Sequence, residues 1–185
     1  MNIHDLIKTR RSVFPAQYTE EPVSKGEINQ LLEAANWAPT HKKTEPWRFK
    51  VLRDKKTEFA DFLVESLKTK SEKPLSEFKQ DKIRKKFNQS SAVIVICMQR
   101  DKKERIPEWE EISATAMAVQ NMWLTATDLG IGSYWSSPRK LIPLASDYFN
   151  LTENERCLGF LYIGNYDTEL LDGERSPVEE KVEWM

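Results

Sequence analysis

The stretch Ile112–Thr127 carries no charged side chain. Its Ala, Met and Leu content predicts a helix, and a helix without a charged face is buried on every side. It is too short and too polar to span a bilayer. A chain of 185 residues has little interior in which to hide all faces of such a helix. Two arrangements stay open. It is a central core helix, or one face meets a second subunit, with Ala114 and Ala118 small enough for close approach.

The remaining pattern mixes helices and strands along one uninterrupted chain. Asn2–Thr9 reads as a short helix with Ile3, Leu6 and Ile7 on one face. Ser24 and Glu27 have capping-box spacing, and Ile28, Leu31, Leu32 and Ala35 form the stripe of a second helix that ends before Pro39. Helices are also expected over Asp54–Lys68, Leu75–Phe87 and Pro138–Phe149. Trp47–Leu52 alternates, which predicts a half-buried strand with Trp47, Phe49 and Val51 inward. Ser91–Met98 and Cys157–Ile163 are continuous apolar runs, expected to be buried strands, and Ser133–Trp135 is a short strand after a Gly130–Gly132 turn. The fold class is α+β.

Net charge is -1, so no global field favours nucleic acid or an anionic membrane surface. Basic residues cluster at Lys79–Lys86 and Arg100–Arg105, interleaved with polar and acidic ones, and read as solvated faces. Met1–Arg11 lacks the apolar stretch of a signal peptide, and Cys97 and Cys157 sit inside strands as small buried hydrophobes. The expected location is the cytoplasm. Two histidines are too few for a His-rich metal cluster, and no zinc spacing is present.

Three segments carry groups suited to chemistry. Arg10-Arg11-Ser12 offers two guanidinium forks and a hydroxyl, either an anion pocket or plain surface charge. Ala38–Trp47 is a polar loop pinned between Pro39 and Pro46, with His41 either a ligand or a surface histidine. Gly130–Ser137 combines two glycines with three serines, but it follows a helix, unlike a dinucleotide fingerprint.

Taken in order, Arg10-Arg11-Ser12, Ala38-Pro39, Glu45–Phe49, the uncharged helix with Leu129–Gly132, and Leu158–Gly164 resemble the FMN-dependent nitroreductase superfamily, in particular its short NAD(P)H nitroreductase branch. The resemblance implies a nitroreductase-like α+β fold: a mostly antiparallel central sheet flanked by helices, in an intertwined homodimer. It implies one domain over residues 1–185, with residues 166–185 an arm on the partner. FMN lies at the subunit interface and NADH or NADPH is the reductant. Arg10, Arg11 and Ser12 hold its phosphate and ribityl chain, and Arg175 meets the phosphate. Trp135, Ser136 and Ser137 line the flavin from the same chain, while His41 and Glu45 approach from the partner. The implied reaction is ping-pong: hydride passes from nicotinamide to flavin N5, and electrons then go to a nitroaromatic, quinone or similar small acceptor. Other flavin chemistry on the same scaffold, such as dehalogenation or ene reduction, and a non-catalytic flavin-binding dimer are the alternatives. No catalytic residue, metal, nucleic acid or membrane partner is implied. A lid is expected in Leu67–Gln89 or Arg100–Trp109. Two departures from the family pattern stand out: Glu45 where Gln is frequent, and Phe14 where a cation is frequent. Both lower the expected flavin potential unless another cation stands nearby.

Overall fold

The computed structural model describes residues 2–71 and 74–185. Four strands form one antiparallel sheet in the order β1-β2-β4-β3, with β1 at Trp47–Leu52, β2 at Ala92–Gln99, β3 at Ile131–Ser136 and β4 at Glu155–Asn165. The two longest apolar runs of the sequence take the two central places. β2 is buried from Ala92 to Met98 because both of its faces are covered. In β1 the expected alternation holds for Trp47, which is buried, but fails at the far end, where Val51 is exposed and Leu52 is buried against the opposite layer. Cys97 and Cys157 are opposite each other in the β2–β4 ladder as free, buried thiols. Hydrogen bonding with Cys157, reinforced by burial, pushes the Cys97 thiol up and keeps it protonated.

Among the described residues there are six α-helices, α1 Ile3–Thr9, α2 Lys25–Asn36, α3 Lys56–Lys70, α4 Glu77–Asn88, α5 Glu108–Asp128 and α6 Ile142–Tyr148, of which α1 packs on α5 rather than on the sheet. α2 begins at the expected capping box: Ser24 Oγ accepts from Glu27 N–H at 3.1 Å and Glu27 Oε2 accepts from Ser24 N–H at 2.8 Å. α2 and α5 pack on one face of the sheet through Leu31, Ala35, Ala118, Met122 and Ile94. α3, α4 and α6 close the other face around Phe59, whose ring meets those of Phe87, Tyr148, Phe149 and Phe160.

α5 starts one turn earlier than its uncharged stretch suggests. Pro107 precedes it, and Glu108, Glu110 and Glu111 occupy its first turn, where the positive end of the helix dipole favours carboxylates. Gly130 ends it with φ 73, a left-handed position that favours glycine. Glu111 is fully buried and accepts from Arg100 Nε at 2.6 Å and from Asp101 N–H at 2.7 Å. Arg100 therefore belongs to a buried ion pair rather than to the solvated face that its sequence neighbourhood suggests.

The outer face of α5 is neither charged nor covered. Trp109, Ile112 and Met117 are exposed at helical spacing, beside exposed Ile3 and Ile7 of α1. The stripe expected on α1 exists, but no residue of α1 is buried in this chain.

Candidate functional site

Arg10, Arg11, Ser12 and Arg175 come together around a cleft of about 920 Å³, with Gln120 and Trp123 of α5 in its wall. Trp123 is the organising residue. Its Nε1 donates to the Arg11 carbonyl at 3.1 Å, and the Arg10 guanidinium lies 4.6 Å from its ring centroid. Burial first, then the charges of Arg175 and Arg11, push the Arg10 pKa down. The only acidic residue among those lining the cleft is exposed Asp172, whose carboxylate is 3.8 Å from Arg11. Three crowded guanidinium groups and the exposed hydroxyl of Ser12 fit a phosphate dianion, which would relieve that repulsion.

Arg11 has structural duties as well. Its Nε donates to the Leu171 carbonyl at 2.9 Å, and Nη1 donates to the carbonyls of Lys8 and Arg10. It thereby fastens the start of the C-terminal segment beside the cleft. From residue 171 onward the segment is exposed along its length.

Trp135, Ser136 and Ser137 lie at the end of β3. Val13 N–H donates to the Ser133 carbonyl at 3.1 Å, so residues 10–14 run along the open edge of β3 and the first and third segments adjoin in one chain. Gly159 of β4 permits this end of β3 to lie close: a Cβ there would sit 2.5 Å from the Ser136 carbonyl oxygen, and its φ is 135. Phe14 packs on Tyr134 with ring centroids 4.6 Å apart, and the Lys86 ammonium is 5.3 Å from the same Tyr134 ring. A cation from α4 thus stands against the same Tyr134 ring on which Phe14 packs.

His41 and Glu45 lie elsewhere. Their loop contains three non-glycine residues in the left-handed region, Lys42, Lys43 and Glu45. Local bonds hold that geometry. Thr40 Oγ1 accepts from Glu45 N–H at 3.1 Å, Arg48 Nη1 donates to the Glu45 carbonyl at 2.8 Å, and Lys42 Nζ donates to the Arg105 carbonyl at 2.9 Å. His41 Nδ1–H donates to Glu110 Oε2 at 2.6 Å, because a carboxylate only accepts. Glu110 is in the first turn of α5 and Trp123 is thirteen residues further on. At 1.5 Å per residue, the His41 loop and the arginine cleft are about 20 Å apart along the helix.

Trp123 was the residue hardest to assign from sequence. A lone indole near the end of an uncharged helix was its only signal. Of the two lid segments, Arg100–Trp109 is tied to α5 by the Arg100–Glu111 pair and to itself by Arg105–Asp101. In Leu67–Gln89, residues 72 and 73 lie outside the described residues. Among the described residues, no cluster of His, Cys, Asp and Glu could hold a metal ion, and no helix is long and apolar enough to cross a membrane.

Known proteins share this fold. A nitroreductase-like family protein from Bacillus cereus has a solved structure that matches with a TM-score of 0.82 and 31% identity, over 100% of this chain and 96% of its own. A Bacillus subtilis (strain 168) protein named "Putative NAD(P)H nitroreductase YfhC" is 29% identical over 99% of this chain and 94% of its own length. A Desulfovibrio desulfuricans structure described as a "putative nitroreductase in complex with fmn" matches with a TM-score of 0.73 at 24% identity, over 98% of this chain and 96% of its own, and speaks to the fold alone. The model of the Nitroreductase family matches residues 7–165, and the chain belongs to that family.

Proposed function

We propose that this chain is an FMN-dependent NAD(P)H oxidoreductase that works as a homodimer, with FMN held where the subunits meet. One observation carries the reading: the candidate residues form two groups at opposite ends of α5, joined by an uncharged, exposed helix face. No ligand the size of a flavin needs both groups within one chain. A two-fold axis through the middle of that face sets the His41 end of one α5 against the Trp123 end of the other. Each FMN is then held by Arg10, Ser12 and Arg175 at its phosphate, lined by Trp135, Ser136 and Ser137 of the same chain, and covered by His41 and Glu45 of the partner. Arg11 contributes by fastening the segment that carries Arg175 and adds positive charge. Residues 166–185 form an arm over the partner, and the exposed Val178, Val182 and Trp184 supply its apolar contacts. The names of the relatives and the FMN of the Desulfovibrio protein support the same cofactor and reductant.

Bound there, FMN would supply the redox chemistry that links NADH or NADPH to a nitroaromatic, quinone or similar acceptor in ping-pong alternation. The protein orients these partners. His41 Nε2 faces no competing protein bond, since its Nδ1 is committed to Glu110, and the strained loop fixes its direction. The test is a visible spectrum after incubation with excess FMN and dialysis, followed by anaerobic NADH or NADPH. Retained flavin bands at about one per chain, bleached by either nucleotide, support the reading. A colourless dialysed protein sinks it, and retained flavin inert to both nucleotides leaves only a binder.

A further inference from the structure

The lysines of α4 have a use beyond solubility. Lys79, Lys82 and Lys86 recur at three- and four-residue steps, which puts them on one side of the helix with Ile83. Opposite them, the turn that leaves β3 brings Arg139 and Lys140. These five cations rim a cavity of about 460 Å³ floored by Leu67, Leu75, Phe87, Leu141 and Tyr162. Among the described residues, no acidic residue lines it. Among the described residues, none of the five forms a salt bridge.

Several other surface cations of the chain are paired. Lys68 pairs with Glu65, Lys70 with Asp147, Arg84 with Asp61 and Arg105 with Asp101. Asp81 of α4 lines the neighbouring cavity beside Phe14, which Lys82 and Lys86 also line, and does not line this one. The rim is therefore a concentration of like charge with no ion pair of its own among the described residues, set over an apolar floor. Such a site is complementary to a ligand with an anionic group at one end and a flat apolar body at the other. Inorganic phosphate would meet the rim and leave the floor wet. A neutral aromatic would fill the floor and leave the charges uncompensated.

We propose that this cavity binds a small aromatic carboxylate. Ser136 lines the cavity as well as standing among the residues assigned to the flavin. Resting on the FMN reading above, the bound carboxylate is the electron acceptor, seated beside the flavin.

The experiment compares para-nitrobenzoate with para-nitrobenzamide, which differ little in shape and by one charge. Each is titrated calorimetrically into the protein with and without FMN, at low and high salt, and again into the double variant Lys82→Gln/Arg139→Gln. The expected result is about tenfold tighter binding of the benzoate, weakened by salt and reduced to near parity in the double variant. Equal affinities in the unaltered protein overturn the proposal, as does a preference that survives the double variant, or displacement of the benzoate by inorganic phosphate at equal concentration. Steady-state reduction tests the acceptor assignment: the double variant should raise KM for the benzoate about tenfold and leave the rate with the benzamide unchanged. Tight benzoate binding without turnover in FMN-loaded, NAD(P)H-reducible protein overturns that assignment. A protein that retains no flavin fails the earlier reading instead, and the calorimetry on that protein still decides the binding site.

Discussion

The two faces of the sheet are built to different standards of completeness. Under α3, α4 and α6 the core is aromatic and closed: Phe59, Phe87 and Phe160 are fully buried and pack edge to face. The helices outside it present charged residues, with pairs such as Arg84–Asp61. Under α2 and α5 the core is aliphatic and small, with Ala35, Ala114, Ala118 and Ala126 among its buried residues. There the layer above the sheet ends in Trp109, Ile112 and Met117, which are exposed. One face is a finished interior. The other is half of one, and the candidate flavin residues sit at both of its ends. Stability and dimer-dependent flavin binding are thus expected to respond to different faces.

The sharpest way to break this contrast is to damage the finished face. Phe59→Ala removes a fully buried ring with four aromatic neighbours and should cost about 3–5 kcal/mol. Denaturant unfolding checks it. Below the transition, the variant should keep the oligomeric state and flavin content of the parent. A cost under about 1 kcal/mol would mean that the aromatic layer is not the main anchor.

Next comes the unfinished face. Met117 is 40% exposed in the single chain, so Met117→Glu should leave the folded protomer and its circular dichroism intact. In the proposed dimer it buries an unpaired carboxylate in each subunit, a loss of several kcal/mol in association. Sedimentation should read the 21.6 kDa chain alone, with flavin lost in parallel. A variant that remains dimeric and yellow places the interface elsewhere.

Periodicity in the sequence was enough to find this face but not to interpret it. The spacing of Ile3, Leu6 and Ile7, and the lack of charge over Ile112–Thr127, are local properties and survive into the structure as helix faces. What covers a face is not local. Glu111 reads as surface charge because its pairing with Arg100 spans a loop, so the true start of α5 was hidden. The three site segments were legible as donor-rich loops, since glycine, proline, serine and arginine mark such places. The distance of about 20 Å along α5 between the His41 loop and the arginine cleft was not, because only the tertiary path sets it. The lysines of α4 are visible in the sequence as a cluster, but the apolar floor beside them is not, because it comes from α3, β4 and the turn after β3.

A smaller effect sharpens how the site is tied to the sheet. Gly159→Ala puts a Cβ 2.5 Å from the Ser136 carbonyl oxygen at a left-handed position. The expected cost is about 1–3 kcal/mol of stability. Because the strain falls on Trp135 and Ser136, flavin affinity should drop as well, measured by equilibrium dialysis of FMN. Lost stability with undiminished flavin affinity would remove the end of β3 from the site.

The smallest expected effect lies in the loop that supports the His41 segment. Hydrogen bonding from the Arg105 guanidinium holds the Asp101 carboxyl down from its ordinary 3.8 to about 2. The folded state thus binds this proton less readily than the unfolded chain does. The resulting stabilisation is complete above about pH 4 and is lost as pH falls through about 2. Asp101→Asn should therefore lower stability modestly at neutral pH, and its acid-unfolding curve should converge with that of the parent near pH 2. Lys42 docks on the carbonyl of Arg105, so a loosened loop should also weaken FMN slightly, by less than either Gly159→Ala or Met117→Glu. A constant gap between the two curves from pH 7 down to 2 would show that the carboxylate's charge is not what supports this loop. The Glu111–Arg100 pair, buried against α5, would then have to carry it alone.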